Sequence, residues 1–276
     1  PIPTVTPKRL WEKIALADAK AVCTIGFHYG TTGGNLETFE SVWDHPRVFG
    51  LKIYCNHTTG ELLVEDPVVL EKIFRAWESP KPILVHAEGE RLYRAIELAQ
   101  TYGRKLHACH ISLAEEVELI AQAKRENLPV SAGVCPHHLY LTSEDLKTLG
   151  VRAMMKPPLG NPDDQEALWE GLRGGTIDVV ETDHAPHLLA EKESGTAQFG
   201  VPGLETALSL MIKATQERRL PKNRLVHVMH YNPKKIFNIP DQPDTFVEVG
   251  WDATYTVGDG GYETKCGWSP FDGWKV

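Results

Sequence analysis

The sequence predicts an α/β fold built on a parallel sheet, and three observations lead to this prediction. Short apolar segments typical of strands alternate with segments whose apolar residues recur every three or four positions, as in helices. Polar and reactive side chains follow several of these strands directly, as they do in enzymes with parallel sheets. The 276 residues suffice for one large core. The alternation leaves open whether the sheet is open or closed into a barrel.

Each element follows from its local pattern. Strands are predicted at 21–28, 49–55, 82–88, 105–112, 128–136 and 177–184. Helices are predicted at 67–79, 90–103, 113–127, 163–175, 203–220 and 223–231. From about residue 245 the chain is rich in Gly and Trp and has no helical periodicity, which predicts a small β-type appendage. We therefore expect a main α/β domain over 1–244 and a tail over 245–276 that packs beside it.

Composition excludes several classes of function. The net charge of −8 is spread along the chain, which argues against nucleic acid or an anionic membrane as partner. No apolar run approaches the roughly 18 residues of a membrane span, and no signal peptide is visible. The five cysteines are odd in number and widely spaced, which is typical of reduced thiols. These features predict a cytoplasmic protein that acts on a small molecule.

The reactive side chains after the strands are the main functional signal. They are His86, Cys109, His110, His137, His138 and Asp183. One histidine at a strand end is more often structural, but agreement among several strands predicts a common site. Imidazoles with a carboxylate suit a divalent transition metal such as zinc, and no CxxC pair suggests a thiolate site.

Lys52 interrupts an otherwise apolar strand, "GLKIYC". An ammonium group facing a metal would be repelled by it and costly to bury. Lys52 is therefore either an exposed side chain of an edge strand, a neutral base, a Schiff-base former, or an anion formed with CO₂.

A series of motifs resembles a known family in sequence and order. The motifs are "GLKIYCN", "VHAEGE", "HACHIS", "CPHHLYLT", "KPPLG", "TDHAPH", "VPGLET", "NPKKIFNIP" and "KCGWSPFDG". They resemble dihydroorotases of the amidohydrolase superfamily, most of all the dihydroorotase domain of the multifunctional animal pyrimidine-synthesis protein. The likeness extends from about residue 1 to the end. "TDHAPH" followed by "PGLET" is specific within the superfamily, because allantoinases and hydantoinases usually differ around the Asp.

The resemblance implies a (β/α)₈ TIM-type barrel that holds two zinc ions and interconverts N-carbamoyl-L-aspartate and L-dihydroorotate in pyrimidine (UMP) synthesis. It implies that Lys52 is carboxylated and bridges the two ions, and that His86 and His110 hold the second. Asp183 would bind the first ion and act as general base and acid on the metal-bridging hydroxide. Such a carboxylate can move a proton to the leaving nitrogen.

The resemblance also implies a substrate site. His187 and Lys156 would bind the substrate carboxylate, the Pro202–Gly203 backbone would contact the ring, and Thr58 would lie in a loop that closes over substrate. For Cys109, and for the pair His137 and His138, two interpretations each remain open. Cys109 is either a small buried apolar residue or a soft auxiliary ligand. His137 and His138 either orient the metal ligands from a second shell or form a polar turn.

The sequence departs from the family in several places. The family's first strand carries a His-x-His pair for the first metal, and this chain has no such run in that context. Six predicted strands fall short of the eight needed for closure, and the chain opens with Pro1. We therefore expect an incomplete barrel that lacks its first strands, with a weakened first metal site and little activity by itself.

Single positions depart as well. Lys156 stands where relatives have Arg or Asn, Gly133 where the animal form has an acidic residue, and Thr59 where it has an aromatic loop residue. Lysine is a point charge and does not replace the bidentate fork of arginine.

Two other functions remain as alternatives. One is hydrolysis of another cyclic amide, as in allantoinases and hydantoinases, which the "TDHAPH" context disfavours. The other is a non-catalytic, dihydroorotase-like partner of aspartate transcarbamoylase. Such chains lose the ligand histidines and the bridging lysine, whereas Lys52, His86 and His110 are all present here. A homo-oligomer or a transcarbamoylase complex is the expected assembly.

Overall fold

The computed structural model describes residues 2–58, 60, 62–195 and 198–276. Within these, the chain forms two compact units, each built from separated stretches. The first unit comprises Pro1–Cys109, Leu119–Ser131 and Lys234–Ile239. The second comprises His110–Glu118, Ala132–Pro233 and Pro240–Val276.

All six predicted strands are present as parallel strands or parts of them. They are β1 Phe27–Gly30, β2 Val48–Tyr54, β3 Ile83–His86, β4 Leu106–Ala108, β5 Val130–Val134 and β6 Val179–Val180. Their order in the sheet is their order along the chain. In the first unit, Gly30 pairs with Lys52 and Tyr54 pairs with His86. In the second unit, Val134 pairs with Val180. This parallel α/β topology confirms the predicted fold class.

The described residues form eleven α-helices, six of which correspond to the helices predicted from apolar periodicity. They are α1 Pro7–Lys20, α2 Pro67–Ala76, α3 Glu90–Tyr102, α4 Ala114–Arg125, α5 Pro136–Tyr140, α6 Leu146–Leu149, α7 Pro162–Gly174, α8 Leu189–Lys192, α9 Ala207–Gln216, α10 Lys222–Val226 and α11 Asn232–Ile236. Short 3₁₀ turns lie at Leu36–Thr38, Ser143–Asp145 and Gly150–Ala153, and a π-helical turn at His227–Tyr231. No helix of the described chain is both long and apolar enough to cross a bilayer.

Local signals fix where the helices begin and end. Asp66 caps α2 by accepting a hydrogen bond from Val68 N at 2.8 Å, one residue beyond the first-position proline. Asn161 and Asp164 form a reciprocal capping box at the start of α7. Helix α3 stops at Gly103, which has a φ of +64°.

The start of the chain differs from the sequence prediction. A strand was predicted over 21–28, but β1 covers Phe27–Gly30 and the preceding residues follow the 14-residue helix α1. Val22 is fully exposed, so its apolar character does not reflect burial. Helix α1 itself was not predicted, although Thr6 caps it and Pro7 occupies its first turn.

The tail belongs to the core of the second unit. Val257, Trp268 and Phe271 are buried and join an apolar cluster that includes Leu141 and Leu210. Its pairing within the described chain is one isolated antiparallel bridge, Thr256 to Lys275. The division at residue 245 remains a prediction, because the compact units follow other boundaries.

Candidate metal and substrate site

The predicted site residues fall into both units. Lys52, Thr58, His86 and Cys109 lie in the first unit. His110, His137, His138, Lys156, Asp183, His187, Pro202 and Gly203 lie in the second.

In the first unit, Tyr54 lies next to both Lys52 and His86. Lys52 Nζ is 5.1 Å from the centroid of the Tyr54 ring, and the rings of Tyr54 and His86 are 5.9 Å apart. His86 is the last residue of β3 and is 1 % exposed, with Glu88 Oε1 3.7 Å from its Nε2. A buried imidazole beside a carboxylate is a common arrangement for a metal ligand.

Cys109 and Thr58 are the other two predicted site residues of the first unit. Cys109 is buried, and its amide donates to Val85 O at 3.0 Å, so it continues the line of β4. Thr58 is half-buried in the loop after β2. Its neighbour Thr59, where the family's loop aromatic would stand, lies outside the described residues.

In the second unit, two predicted metal ligands have left-handed backbones. His110 has a φ of +38° and Asp183 a φ of +41°. Residues other than glycine adopt this region at a cost, and such positions cluster at active sites. Each follows a short apolar strand by a few residues, so the chain turns sharply where the polar side chain is presented.

Glu181 is a site residue that the sequence analysis missed. Its carboxylate accepts a hydrogen bond from His110 N, and its own amide donates to Val134 O at 3.0 Å. The same carboxylate covers Gly133, where an added Cβ would lie 2.4 Å from Glu181 Oε1. The animal form has an acidic residue at the position of Gly133. In this chain an acidic group reaches the same place from Glu181, which directly follows β6. Its position two residues before Asp183 was the available signal.

Phe199 connects the two residues expected to bind the substrate carboxylate. Lys156 Nζ lies 4.4 Å from the Phe199 ring centroid, and His187 Nε2 is 3.1 Å from Phe199 O. A cavity of about 340 Å³ opens beside His187, with Glu191 and Gln198 also in its wall. His187 therefore borders a cavity, whereas Lys156 is placed near it only through its contact with Phe199.

Lys192 is the second residue that the sequence analysis missed. Its side chain is 2 % exposed, and its Nζ donates to Met154 O, Gln198 O and Gly200 O at 2.6, 2.5 and 2.8 Å. Burial lowers the pKa of Lys192 to about 8. Met154 precedes Lys156 by two residues, and Gln198 and Gly200 flank Phe199. Lys192 therefore holds the backbone beside the residues expected to bind the substrate carboxylate.

Replacing Lys192 with methionine should lower the free energy of unfolding by about 3 kcal/mol, because buried carbonyls lose their donors. Urea denaturation gives the value. Lys213→Met is the matched control, because Lys213 forms only a surface pair with Glu217 at 3.1 Å and should contribute at most about 0.5 kcal/mol. Equal effects of the two substitutions would contradict the structural role of Lys192.

The Pro202–Gly203 backbone is predicted to contact the substrate ring. Its Gly203 lies against Thr182, the residue before Asp183. A Cβ at Gly203 would lie 3.1 Å from Thr182 O, so a glycine permits the close approach of the two backbones. Leu204 N donates to His184 Nδ1 at 3.3 Å, and burial lowers the pKa of His184. The structure therefore places this backbone beside the residue expected to transfer the proton.

His137 and His138 lie in the first turn of α5 and are buried. Their rings are 4.4 Å apart, and His138 Nε2 is 3.1 Å from Pro157 O. Burial lowers the pKa of His138 to about 4, and burial followed by the proximity of His138 lowers that of His137. Both rings are buried in the helical turn that follows β5, and their two interpretations, orienting the ligands of the main site or forming a polar turn, stay predictions.

Comparison with known proteins identifies the family. No family model matches the chain. Multifunctional protein pyr1-3 of Dictyostelium discoideum is 37% identical over 95% of the chain and 12% of its own length. Multifunctional protein CAD of Squalus acanthias is 37% identical over 97% of the chain and 12% of its own length. A dihydroorotase of Methanosarcina acetivorans is 31% identical over 99% of the chain and 68% of its own length.

Solved structures agree on the fold. L-hydantoinase (dihydropyrimidinase) from Arthrobacter aurescens superposes with a TM-score of 0.90 at 28% identity, covering 99% of this chain and 71% of that one. The inactive dihydroorotase-like domain of a Chaetomium thermophilum CAD-like multifunctional protein gives 0.80 at 28% identity, covering 99% and 75%.

Taken together, the parallel α/β fold and these relatives place the chain in the amidohydrolase superfamily, whose hydantoinases are among the structural neighbours. Within it, the chain belongs to the dihydroorotase family. It spans 12% of the length of the two multifunctional relatives and 68% of the archaeal enzyme.

Proposed function

We propose that the protein is a dihydroorotase, which reversibly cyclises N-carbamoyl-L-aspartate to L-dihydroorotate in pyrimidine synthesis. The observation that carries the proposal is the pair His110 and Asp183, both presented from left-handed turns after short strands of the fold. The relatives named dihydroorotase support the same reaction.

The donor set fits zinc. His86 and His110 offer imidazole nitrogens and Asp183 offers carboxylate oxygens, which borderline divalent ions accept. Lys52, carboxylated by CO₂, would add the anionic oxygens of a bridge between two ions. The imidazole pair expected for the first ion has no counterpart in this sequence, so the second ion, with Lys52, His86 and His110, has the more complete ligand set. When bound, the metals polarise the amide carbonyl and lower the pKa of water.

Asp183 performs the proton transfer. In the direction of hydrolysis, its carboxylate takes a proton from the attacking water and delivers it to the ring nitrogen as the amide C–N bond breaks. Thr182, the residue before Asp183, lies against Gly203, whose backbone is expected to contact the ring, and this supports the role of Asp183. In the reverse direction, the same carboxyl group returns the proton to the departing water.

Lys156 and His187 position the substrate. Both residues lie at Phe199, and we propose that His187 turns its Nε2–H from Phe199 O to the substrate carboxylate, beside the ammonium group of Lys156. Lysine is a point charge without the fixed bidentate fork of arginine, so His187 supplies part of the direction that an arginine would give. Thr58 would close over the bound substrate from its loop.

The proposed setting is the cytoplasm, as a homo-oligomer or in association with aspartate transcarbamoylase. All five cysteines are thiols, and burial raises the pKa of Cys55 to about 12, which keeps that thiol protonated. Two similar proteins are multifunctional chains, which supports association with other pyrimidine-synthesis activities.

Hydrolysis of another cyclic amide is the second candidate, because the L-hydantoinase has a TM-score of 0.90. The deciding experiment measures hydrolysis of dihydroorotate, hydantoin and allantoin by the full-length gene product, with and without a chelator. We expect chelator-sensitive turnover of dihydroorotate alone. Turnover of hydantoin instead would replace the proposed substrate. No turnover by a folded protein without zinc would indicate a non-catalytic domain like the inactive one from Chaetomium thermophilum.

A further inference from the structure

Three buried metal-binding side chains meet at the start of α5, outside the set assigned to the reaction. They are Cys135, His137 and His138, exposed by 0 %, 2 % and 2 %. One potential ligand atom from each lies within 4.8 Å of the other two. Cys135 immediately precedes the helix, so residues i, i+2 and i+3 converge in its first turn.

The hydrogen bonding of His138 leaves a nitrogen lone pair buried. Its Nε2 is 3.1 Å from Pro157 O, and a carbonyl oxygen only accepts, so Nε2 carries the ring proton. In the neutral ring, Nδ1 is then a bare acceptor. Among the described residues it finds no hydrogen-bond donor, and it is shielded from water. An acceptor left in this state costs free energy, which a bound cation would offset.

His137 presents a second such atom. Its Nδ1 is also buried without a hydrogen-bond partner in the part of the chain that the structure describes. Both imidazoles have an unsatisfied nitrogen, and one ring nitrogen of each lies within 4.8 Å of the Cys135 sulfur. Donation from one ring nitrogen to a backbone carbonyl, as in His138, is the usual way in which a ligating histidine is oriented.

We propose that Cys135, His137 and His138 bind one zinc ion at a structural site of this chain. Cysteine sulfur with histidine nitrogen is a donor set that zinc prefers. On binding, the Cys135 thiol releases its proton to solvent and a sulfur–zinc bond forms. Ligand atoms around one zinc ion are about 3.5 Å apart, so the side chains need to close by about 1 Å from the upper limit seen here.

The charges around the cluster favour a divalent ion. Zinc with one thiolate and two neutral imidazoles has a net charge of +1. The Glu181 carboxylate acts electrostatically on His138, and it supplies the remaining negative charge. A buried, balanced group of this kind costs less to desolvate than a charged one.

The site would stabilise structure and take no part in the reaction. It would tie the start of α5 to Pro157, which follows Lys156 directly. Metal incorporation requires folding in its presence, because the three side chains are almost inaccessible in the folded chain. The proposal does not depend on the dihydroorotase assignment, whose ligands are nitrogen and oxygen donors.

Cobalt(II) is the probe, because a thiolate ligand gives it a near-ultraviolet charge-transfer band that nitrogen and oxygen ligands do not give. The full-length protein is unfolded and refolded with Co²⁺, and its absorption is recorded. We expect the band in the parent protein, its loss in Cys135→Ser, and its retention in Cys55→Ser, a matched control at another buried cysteine. Near-ultraviolet circular dichroism verifies that both variants are folded.

A second measurement needs no variant. X-ray absorption of the zinc-refolded parent should contain a zinc–sulfur distance of about 2.3 Å. Purely nitrogen and oxygen ligation would overturn the cysteine site while leaving the proposed reaction standing. A cobalt–thiolate band that persists in folded Cys135→Ser would also overturn it.

Discussion

Replacing Asp183 with asparagine should lower dihydroorotate turnover by about 10²–10⁴-fold in the full-length gene product, while leaving its fold and stability nearly unchanged. Asparagine keeps the size of the side chain but cannot take the proton of the attacking water at neutral pH. Residue 183 also keeps its left-handed backbone, which asparagine tolerates as well as aspartate. The measurement is kcat for dihydroorotate together with thermal unfolding of both proteins.

Asp163→Asn is the matched control, because Asp163 is an exposed carboxylate in the first turn of α7. We expect turnover within experimental error of the parent protein. Turnover retained by Asp183→Asn would remove Asp183 from the proton-transfer role. A fall accompanied by loss of folding would instead make its contribution structural.

Replacing Lys52 with alanine should remove both bound zinc and activity. Substitution of residues that only support a metal ligand costs about 10–100-fold in affinity or activity, so loss of a bridging ligand should exceed about 100-fold. If Lys52 acts as a carboxylated anion, added acetate or propionate should restore part of the activity, because a short carboxylate can occupy the space left by the side chain. Zinc content by atomic emission and kcat with increasing carboxylate are the two measurements.

Lys72→Ala is the matched control for the loss of zinc and activity in Lys52→Ala, because Lys72 is an exposed residue of α2. It should keep its metal and show no response to acetate. Zinc content unchanged in Lys52→Ala would contradict the bridging role. Lost zinc without any rescue would favour a lysine that holds the metal site together without carboxylation.

Sequence patterns determined much of the architecture. Alternating apolar segments predicted six strands, and six are present, because burial in a parallel sheet requires continuous apolar runs. Proline and capping residues fixed helix starts such as Pro67, and Gly103 ended a helix at a positive φ. His86 and Asp183 were recognisable because a reactive residue directly after an apolar run stands out in the sequence.

Other features depend on contacts between residues far apart along the chain, which a local sequence pattern does not contain. Val22 is as apolar as a strand residue but lies exposed, since hydrophobicity alone does not determine which segment is covered. The carboxylate of Glu181 reaches the amide of His110, 71 positions away, and its role is visible only with the strands paired.

Lys192 is the clearest case of a role decided by tertiary structure. In the sequence it is one more charged residue in a polar segment, "LLAEKESG". In the fold its ammonium group is enclosed by three carbonyls from two separate loops. Sequence alone determined the family and the candidate donors, because these depend on residue type and order. The tertiary structure determined which groups support them, because hydrogen bonds between loops depend on backbone paths that no short pattern encodes.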